Sequence, residues 1–152
     1  MSPSAEAHSG TKRILALDVG GRRIGLAVSD ALGITAQGLE TLNRTNKRAD
    51  LRLLGAIIRE YAIAEIVIGN PLRMSGTSSS QSVKIAVFAE DLKKHFRLPV
   101  FLWDERLTSA AANRILDEAG MSRLQRKGVV DRMAAVLILQ GFLEARSIQH
   151  QS

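Results

Sequence analysis

Ile14-Leu-Ala-Leu-Asp18-Val-Gly-Gly-Arg-Arg-Ile24-Gly-Leu-Ala-Val28 places two short apolar runs around a Gly-Gly pair, and that arrangement reads as a β-hairpin. Beyond Ser29-Asp30 and Gly33, the stretch Ile34 to Leu42 supplies a third strand, with Gly38 and Glu40 interrupting its alternation. From Asn46 the period changes. Leu51, Leu54, Ile57, Ile58 and Tyr61 recur at helical spacing, with Arg48, Arg52, Arg59 and Glu60 on the other side. Glu65 to Gly69 is a β-branched run of the buried kind, stopped by Asn70-Pro71 and a Gly- and Ser-rich loop through Ser80. A second amphipathic helix carries Ile85, Phe88, Ala89, Leu92 and Phe96, and Pro99 to Trp103 is another short buried strand. Thr108 or Ser109 caps a third helix bearing Ala112, Ile115 and Leu116, which ends at Gly120. Arg123 to Gly128 reads as a basic linker, and Val129 to Ala145 as a last helix apolar enough to be largely buried. Hairpins first and strand–helix alternation afterwards predict an α/β fold. Its five-stranded sheet is mixed, antiparallel at one side and parallel at the other, with helices on both faces.

The 152 residues suffice for one domain with a sizeable core. A 45% hydrophobic and 24% charged composition is that of a globular protein, and the longest strongly apolar stretch, Met133 to Leu139, is too short to cross a bilayer. The absence of cysteine excludes disulfides, thiolate catalysis and cysteine-ligated zinc. Met1 to Gly10 is polar and lacks the apolar core of a secretory signal, so the expected location is cytoplasmic. The expected boundaries are a disordered tail over 1–11, one domain over 12–146 and a flexible tail over 147–152. Lysines and arginines exceed acids by 21 to 15, a net charge of +6, which favours a polyanionic partner. Aromatic residues make up only 4% and fall mainly on helical core faces, so backbone recognition is favoured over base stacking.

Three acids stand at element ends in apolar surroundings. Asp18 terminates a strand, Glu105 lies just past another, and Asp131 opens the apolar last helix. Sites in such sheets form at the carboxyl ends of parallel strands, so Asp18 and Glu105 face one another if their strands are neighbours, with Asp131 brought in by a helix across the same end. Clustered carboxylates need a cation, and all-oxygen ligands select hard ions, here Mg²⁺ or Mn²⁺. With a basic surface this points to phosphodiester chemistry at two ions about 4 Å apart. Each acid also has a structural alternative: Asp18 as an acceptor in the turn, Glu105 in a surface pair with Arg106 or Arg22, and Asp131 as a first-turn acid favoured by the helix dipole. Asp30 and Asp104 read as turn and cap residues outside the metal site. Gly20 and Gly21 serve the turn. His8, His95 and His150 are scattered and form no catalytic constellation.

Leu17-Asp18-Val-Gly-Gly-Arg-Arg-Ile-Gly-Leu-Ala-Val-Ser-Asp30, Val67-Ile-Gly-Asn-Pro71 with Met74-Ser-Gly76, Asp104-Glu-Arg-Leu-Thr-Ser109, and Arg126-Lys-Gly-Val-Val-Asp131-Arg-Met-Ala-Ala135 with Ile138-Leu-Gln140 resemble, in that order, the YqgF or RuvX family. The resemblance covers about residues 12 to 145. It implies an RNase H-like three-layer fold related to RuvC and a metal-dependent nuclease, described both as a Holliday junction resolvase and as the enzyme that matures the 5′ end of pre-16S rRNA. It implies that Asp18, Glu105 and Asp131 are the catalytic metal ligands. Arg22, Arg23, Arg106, Arg126 and Lys127 flank the acidic motifs and are candidates for holding phosphates. The expected partner is structured RNA, namely pre-16S rRNA in a pre-ribosomal particle, or branched DNA, in which case a homodimer with paired sites is required. A third reading keeps the basic surface and discards catalysis, leaving a nucleic-acid-binding module. Asn70 replaces the family's usual Leu, and Ser75 stands where Asp is frequent. Neither change touches a metal ligand, but both fall in the loop expected to meet substrate.

Overall fold

The computed structural model describes residues 13–72, 75–107 and 123–151, the side chains of 123–132 and 148–151 excepted. Its elements are β1 (Ile14–Val19), β2 (Arg23–Ser29), β3 (Ala36–Asn43), α1 (Lys47–Glu60), β4 (Glu65–Asn70), α2 (Ser80–Phe96), β5 (Val100–Asp104), a 3-10 turn (Glu105–Leu107) and α3 (Arg123–Gln151). The strands lie in the order β3-β2-β1-β4-β5. The first three run antiparallel through two hairpins, whereas β4 pairs in parallel with β1 on one side and β5 on the other. This is the mixed five-stranded sheet that hairpins first and strand–helix alternation afterwards predict.

Period-two alternation divides the core. Leu15, Leu17 and Val19 of β1, with Ile24, Leu26, Ile66 and Ile68, pack beneath Leu51 and Leu54 of α1 and Ile85, Ala89 and Leu92 of α2. Ile14, Ala16, Ala27 and Val67 point the other way, onto Ala135, Ile138, Leu139 and Leu143 of α3. Small residues on this second face let α3 approach closely. A Cβ added to Gly141 would stand 2.7 Å from the Trp103 ring. Farther along α3, Arg146 forms a two-pronged pair with Glu65 at 2.7 and 2.8 Å and lies over Phe142 at 4.7 Å.

The helix starts follow local chemistry. Asn46 caps α1 by accepting from the Ala49 amide, and Ser79 and Ser82 cap α2 reciprocally. The Ser79 hydroxyl also donates to the Pro71 carbonyl at 2.7 Å, closing the loop between β4 and α2 on itself.

Four local expectations change. The interrupted alternation of β3 has a cause: between Ile24 and Leu26 the pairing moves from Leu42 to Leu39, so β3 carries one extra residue, a bulge that resets the face of every side chain after it. β5 is the edge strand rather than a buried one, with Phe101 and Leu102 38% and 43% exposed. Residues 123–128 are helical, because α3 begins six residues before Val129, and the helix continues through 147–151 where a tail was expected. The predicted tail over 1–11 and the helix expected from Thr108 to Gly120 lie outside the described residues.

Candidate active site

Strand parity decides where the acids go. Asp18 alternates with Ile14 and Ala16, so it projects on the α3 face, at the carboxyl end of β1. Its partner on β2 is Gly25, and the parallel register of β1 with β4, which pairs Leu17 with Ile68, brings Gly69 beside it on the other side. Asp18 is therefore flanked by two residues without side chains.

Glu105 follows Trp103, which shares the α3 face, and belongs to the 3-10 turn at the end of β5. β5 does not neighbour β1, because β4 lies between them. The condition attached to the sequence reading, adjacent strands, is thus not met, and yet the two carboxyl groups are hydrogen-bonded to each other. Gly69 is the reason. A Cβ there would overlap Oε1 of Glu105 and stand 2.7 Å from Cδ1 of Ile138, so the Glu105 side chain occupies the space that any other residue on β4 would fill. The sequence showed Gly69 only as the last residue before a strand stop. Its value as clearance appears once the register is known.

The pair carries an electrostatic signature. Burial pushes the Glu105 carboxyl up to about 8, assisted by its hydrogen bond to Asp18 and by the negative charges of Asp18 and Asp104. At neutral pH the two groups therefore share a proton. Asp104, one residue earlier, behaves oppositely. Its carboxylate accepts from the Arg106 amide at 3.0 Å and from the guanidinium at 2.6 to 3.0 Å, which holds it below the usual carboxylate range. The pairing of Glu105 with Arg106 or Arg22, weighed from sequence, is replaced by Glu105 with Asp18 and Arg106 with Asp104. Asp104 stays outside the acidic pair, as read. Asp30 is a turn residue, also as read, accepting from the Ile34 and Thr35 amides at 2.7 and 3.2 Å.

Of the basic candidates, Arg22 is exposed in the β1–β2 turn and Arg23 is half-buried at the start of β2. Arg106, beyond its bond to Asp104, approaches Gly76, whose φ of +89° suits glycine; a Cβ there would lie 3.3 Å from Nη1. The loop at Gly76 is therefore fitted to the Asp104–Arg106 unit. Asp131, Arg126 and Lys127 all belong to α3, with side chains outside the described set. Sequence reasoning missed Arg44. Its Nη1 donates to the Gly20 carbonyl at 2.7 Å and its Nε reaches the buried Asp50 at 3.4 Å, bracing the turn that follows Asp18. Arginine after a strand and aspartate in the first turn of the next helix were the available signals.

The fit to a metal can be judged from these donors. Among the described residues no group of three or more His, Asp or Glu side chains assembles, so the described donor set is the Asp18–Glu105 pair. Two touching carboxyl groups, one held protonated by burial and by its acidic neighbours, suit a hard cation in place of the shared proton.

The family model RuvX, described as Holliday junction resolvase, matches residues 12–145. A protein of Koribacter versatilis named "Putative pre-16S rRNA nuclease" is 60% identical over 139 residues, covering 91% of each chain. One of the same name from Clostridium novyi is 49% identical, covering 88% of this chain and 98% of its own. Among solved structures, T. thermophilus RuvC in complex with Holliday junction substrate aligns with a TM-score of 0.54 at 15% identity, covering 90% of this chain and 96% of RuvC. The fowlpox virus Holliday junction resolvase aligns at 0.51 and 14% identity, covering 88% and 99%. At such identities the likeness is one of fold, and the architecture is the RNase H-like α/β fold that the sequence motifs implied. A family match over nearly the whole described chain, and relatives this similar along almost their full lengths, place the protein: it belongs to the RuvX family.

Proposed function

We propose that this chain is a divalent-metal-dependent nuclease that hydrolyses phosphodiester bonds in RNA, acting in the 5′-end maturation of pre-16S rRNA in the cytoplasm. The observation that carries the reading is the Asp18–Glu105 contact made across Gly69: two acids far apart in the chain meet at the carboxyl ends of the parallel strands, where this sheet type forms its sites. The curated relatives' name supports RNA as the substrate.

Asp18 and Glu105 would hold Mg²⁺ or Mn²⁺, one ion or two, with Asp131 as the third ligand. Asp131 lies on α3, in the turn that precedes Ala135. When bound, a cation of this class supplies Lewis acidity toward the phosphodiester and neutralises charge at the leaving oxygen. The chain's own part is placement. Asp18 and Glu105 release their shared proton on loading. Arg22, Arg23, Arg126 and Lys127 hold backbone phosphates, while Arg106, engaged by Asp104, sets the 75–77 loop beside the scissile bond. The decisive experiment incubates precursor RNA with wild-type and Asp18→Asn protein, mapping the 5′ ends produced and measuring RNA affinity in parallel. Asp18→Asn is expected to bind RNA nearly as well and to cleave at least about 10³-fold more slowly, the scale for losing a metal-holding group. Wild-type cleavage by that variant refutes the assignment.

The family's description as a Holliday junction resolvase favours a second reading, cleavage of branched DNA. That activity requires two sites in a homodimer. Symmetric cutting of a four-way junction by a dimer, with no processing of precursor RNA, would establish it instead.

A further inference from the structure

We propose that the cleft between α1 and α2, on the sheet face opposite the acids, is a second RNA-binding surface that grips the sugar-phosphate backbone of a structured RNA beyond its cleavage point. Positions 48, 52, 55 and 59 fall at intervals of four, three and four, one stripe of a helix, and hold Arg, Arg, Gly and Arg. Gly55 leaves a recess in this stripe. The Phe96 ring and Nη1 of Arg59 come within 3.3 and 3.4 Å of where its Cβ would be. Together with His95 these residues border a shallow cleft of about 670 Å³ that no carboxylate lines.

Elsewhere the fold neutralises many of its cations: Arg44 by Asp50, Lys47 by Asp91, Lys93 by Glu90, Arg106 by Asp104 and Arg146 by Glu65. The side chains of Arg48, Arg52 and Arg59 have no ion pair or hydrogen bond to any described residue, and all three are exposed. Their placement works against the isolated helix, since like charges four apart repel and a cation in the first turn opposes the helix dipole. A stripe that is unfavourable alone becomes favourable against a polyanion. At 1.5 Å per residue it spans about 16 Å, long enough to meet several successive phosphates of one strand. Guanidinium groups over an apolar floor suit phosphates without reading bases. Because β3 runs parallel to β1, α1 starts at the end of the sheet where Asp18 lies, with the turn bearing Arg22 between the two faces. A strand leaving the acids over that turn meets Arg48 first and Arg59 last.

The proposal rests on the nuclease reading, and its test separates the two. Full-length wild type and the variant Arg48→Glu/Arg52→Glu/Arg59→Glu are compared on a long structured precursor RNA and on a short RNA spanning only the cleavage point. Kd is measured against salt in the Asp18→Asn background. For the long RNA the triple variant should bind at least about tenfold more weakly, with a salt slope smaller by about 2 to 3, the share of three phosphate contacts. The short RNA should keep its Kd and its kcat/KM. Arg48→Ala/Arg52→Ala/Arg59→Ala, which removes charge without reversing it, should show the same pattern to a smaller degree and guards against misfolding. Unchanged affinity and salt slope for the long RNA, or equal losses on both RNAs, overturn the proposal; the former leaves an acidic protein as the occupant. If Asp18→Asn cleaves normally while the triple variant still loses long-RNA affinity, the catalytic assignment fails and this surface stands.

Discussion

Asp50, at the start of α1, and Glu105, at the end of β5, are both withdrawn from water, but they keep opposite company. Asp50 is only 2% exposed and accepts from the Thr45 amide at 3.1 Å and from the Arg44 guanidinium at 3.4 Å. Its burial comes with its own donors, and what it stabilises is local: the turn after β3 and, through Arg44, the turn after β1. Glu105 is set against another carboxyl, with a third acid next to it. Arg106, next in sequence, is a cation close at hand. That cation goes to Asp104. Two half-buried acids in contact, one with its proton tightly held, form a pair that a bound cation would relieve.

After Asp18→Asn itself, the largest expected effect breaks the pair without touching either acid. Gly69→Ala pushes a methyl into the Glu105 carboxylate and should lower cleavage at least about 100-fold, about 3 kcal/mol of barrier, with the fold retained by circular dichroism. Wild-type turnover by a folded Gly69→Ala protein would dissolve the contrast. Next, Asp50→Ala should leave the Thr45 amide and Arg44 without their acceptor and cost about 2 to 3 kcal/mol in urea unfolding, while cleavage per folded molecule changes only a few-fold.

The third prediction concerns pH. Glu105 binds its proton more tightly folded than unfolded, so its contribution is complete below about pH 4.5 and is lost as pH rises through about 8. Metal-free protein should therefore lose stability between pH 5 and 8, by about 2 kcal/mol after allowance for residual water at the site. Millimolar Mg²⁺ or Mn²⁺ should restore it at pH 8, and Glu105→Gln should flatten the profile; a flat wild-type profile would count against the shared proton. The smallest effect sharpens the comparison within the Asp-Glu-Arg motif. Arg106→Ala frees Asp104 and loosens the loop at Gly76, for at most about 1 kcal/mol of stability because the pair is near the surface. It should weaken RNA binding a few-fold and leave the metal dependence of cleavage unchanged, as a metal titration of the variant would show.

Much of this was legible before any coordinates. Short apolar runs between turn residues located most of the strands, the change of period at Asn46 located α1, and the three acids were conspicuous because charged groups seldom close apolar runs. Other features were not. The bulge in β3 disguised a strand as weak alternation, since one added residue inverts the pattern, and an edge strand such as β5 shows the same apolar run as a buried one. The cations of the α1 stripe read as a solvated helical face. Their lack of partners depends on how α2 lies alongside.

By itself the sequence determined the elements, the mixed sheet and the identity of the acidic candidates, because spacing along a chain is a local property that records which face each residue presents. Only the tertiary structure decided that Asp18 and Glu105 meet. Their strands are separated by β4, and contact across a whole strand requires both a crossover that brings β5 to its far edge and a residue at the crossing point with no side chain. Gly69 meets that second condition, and its role depends on an absence of atoms that only the packing makes visible.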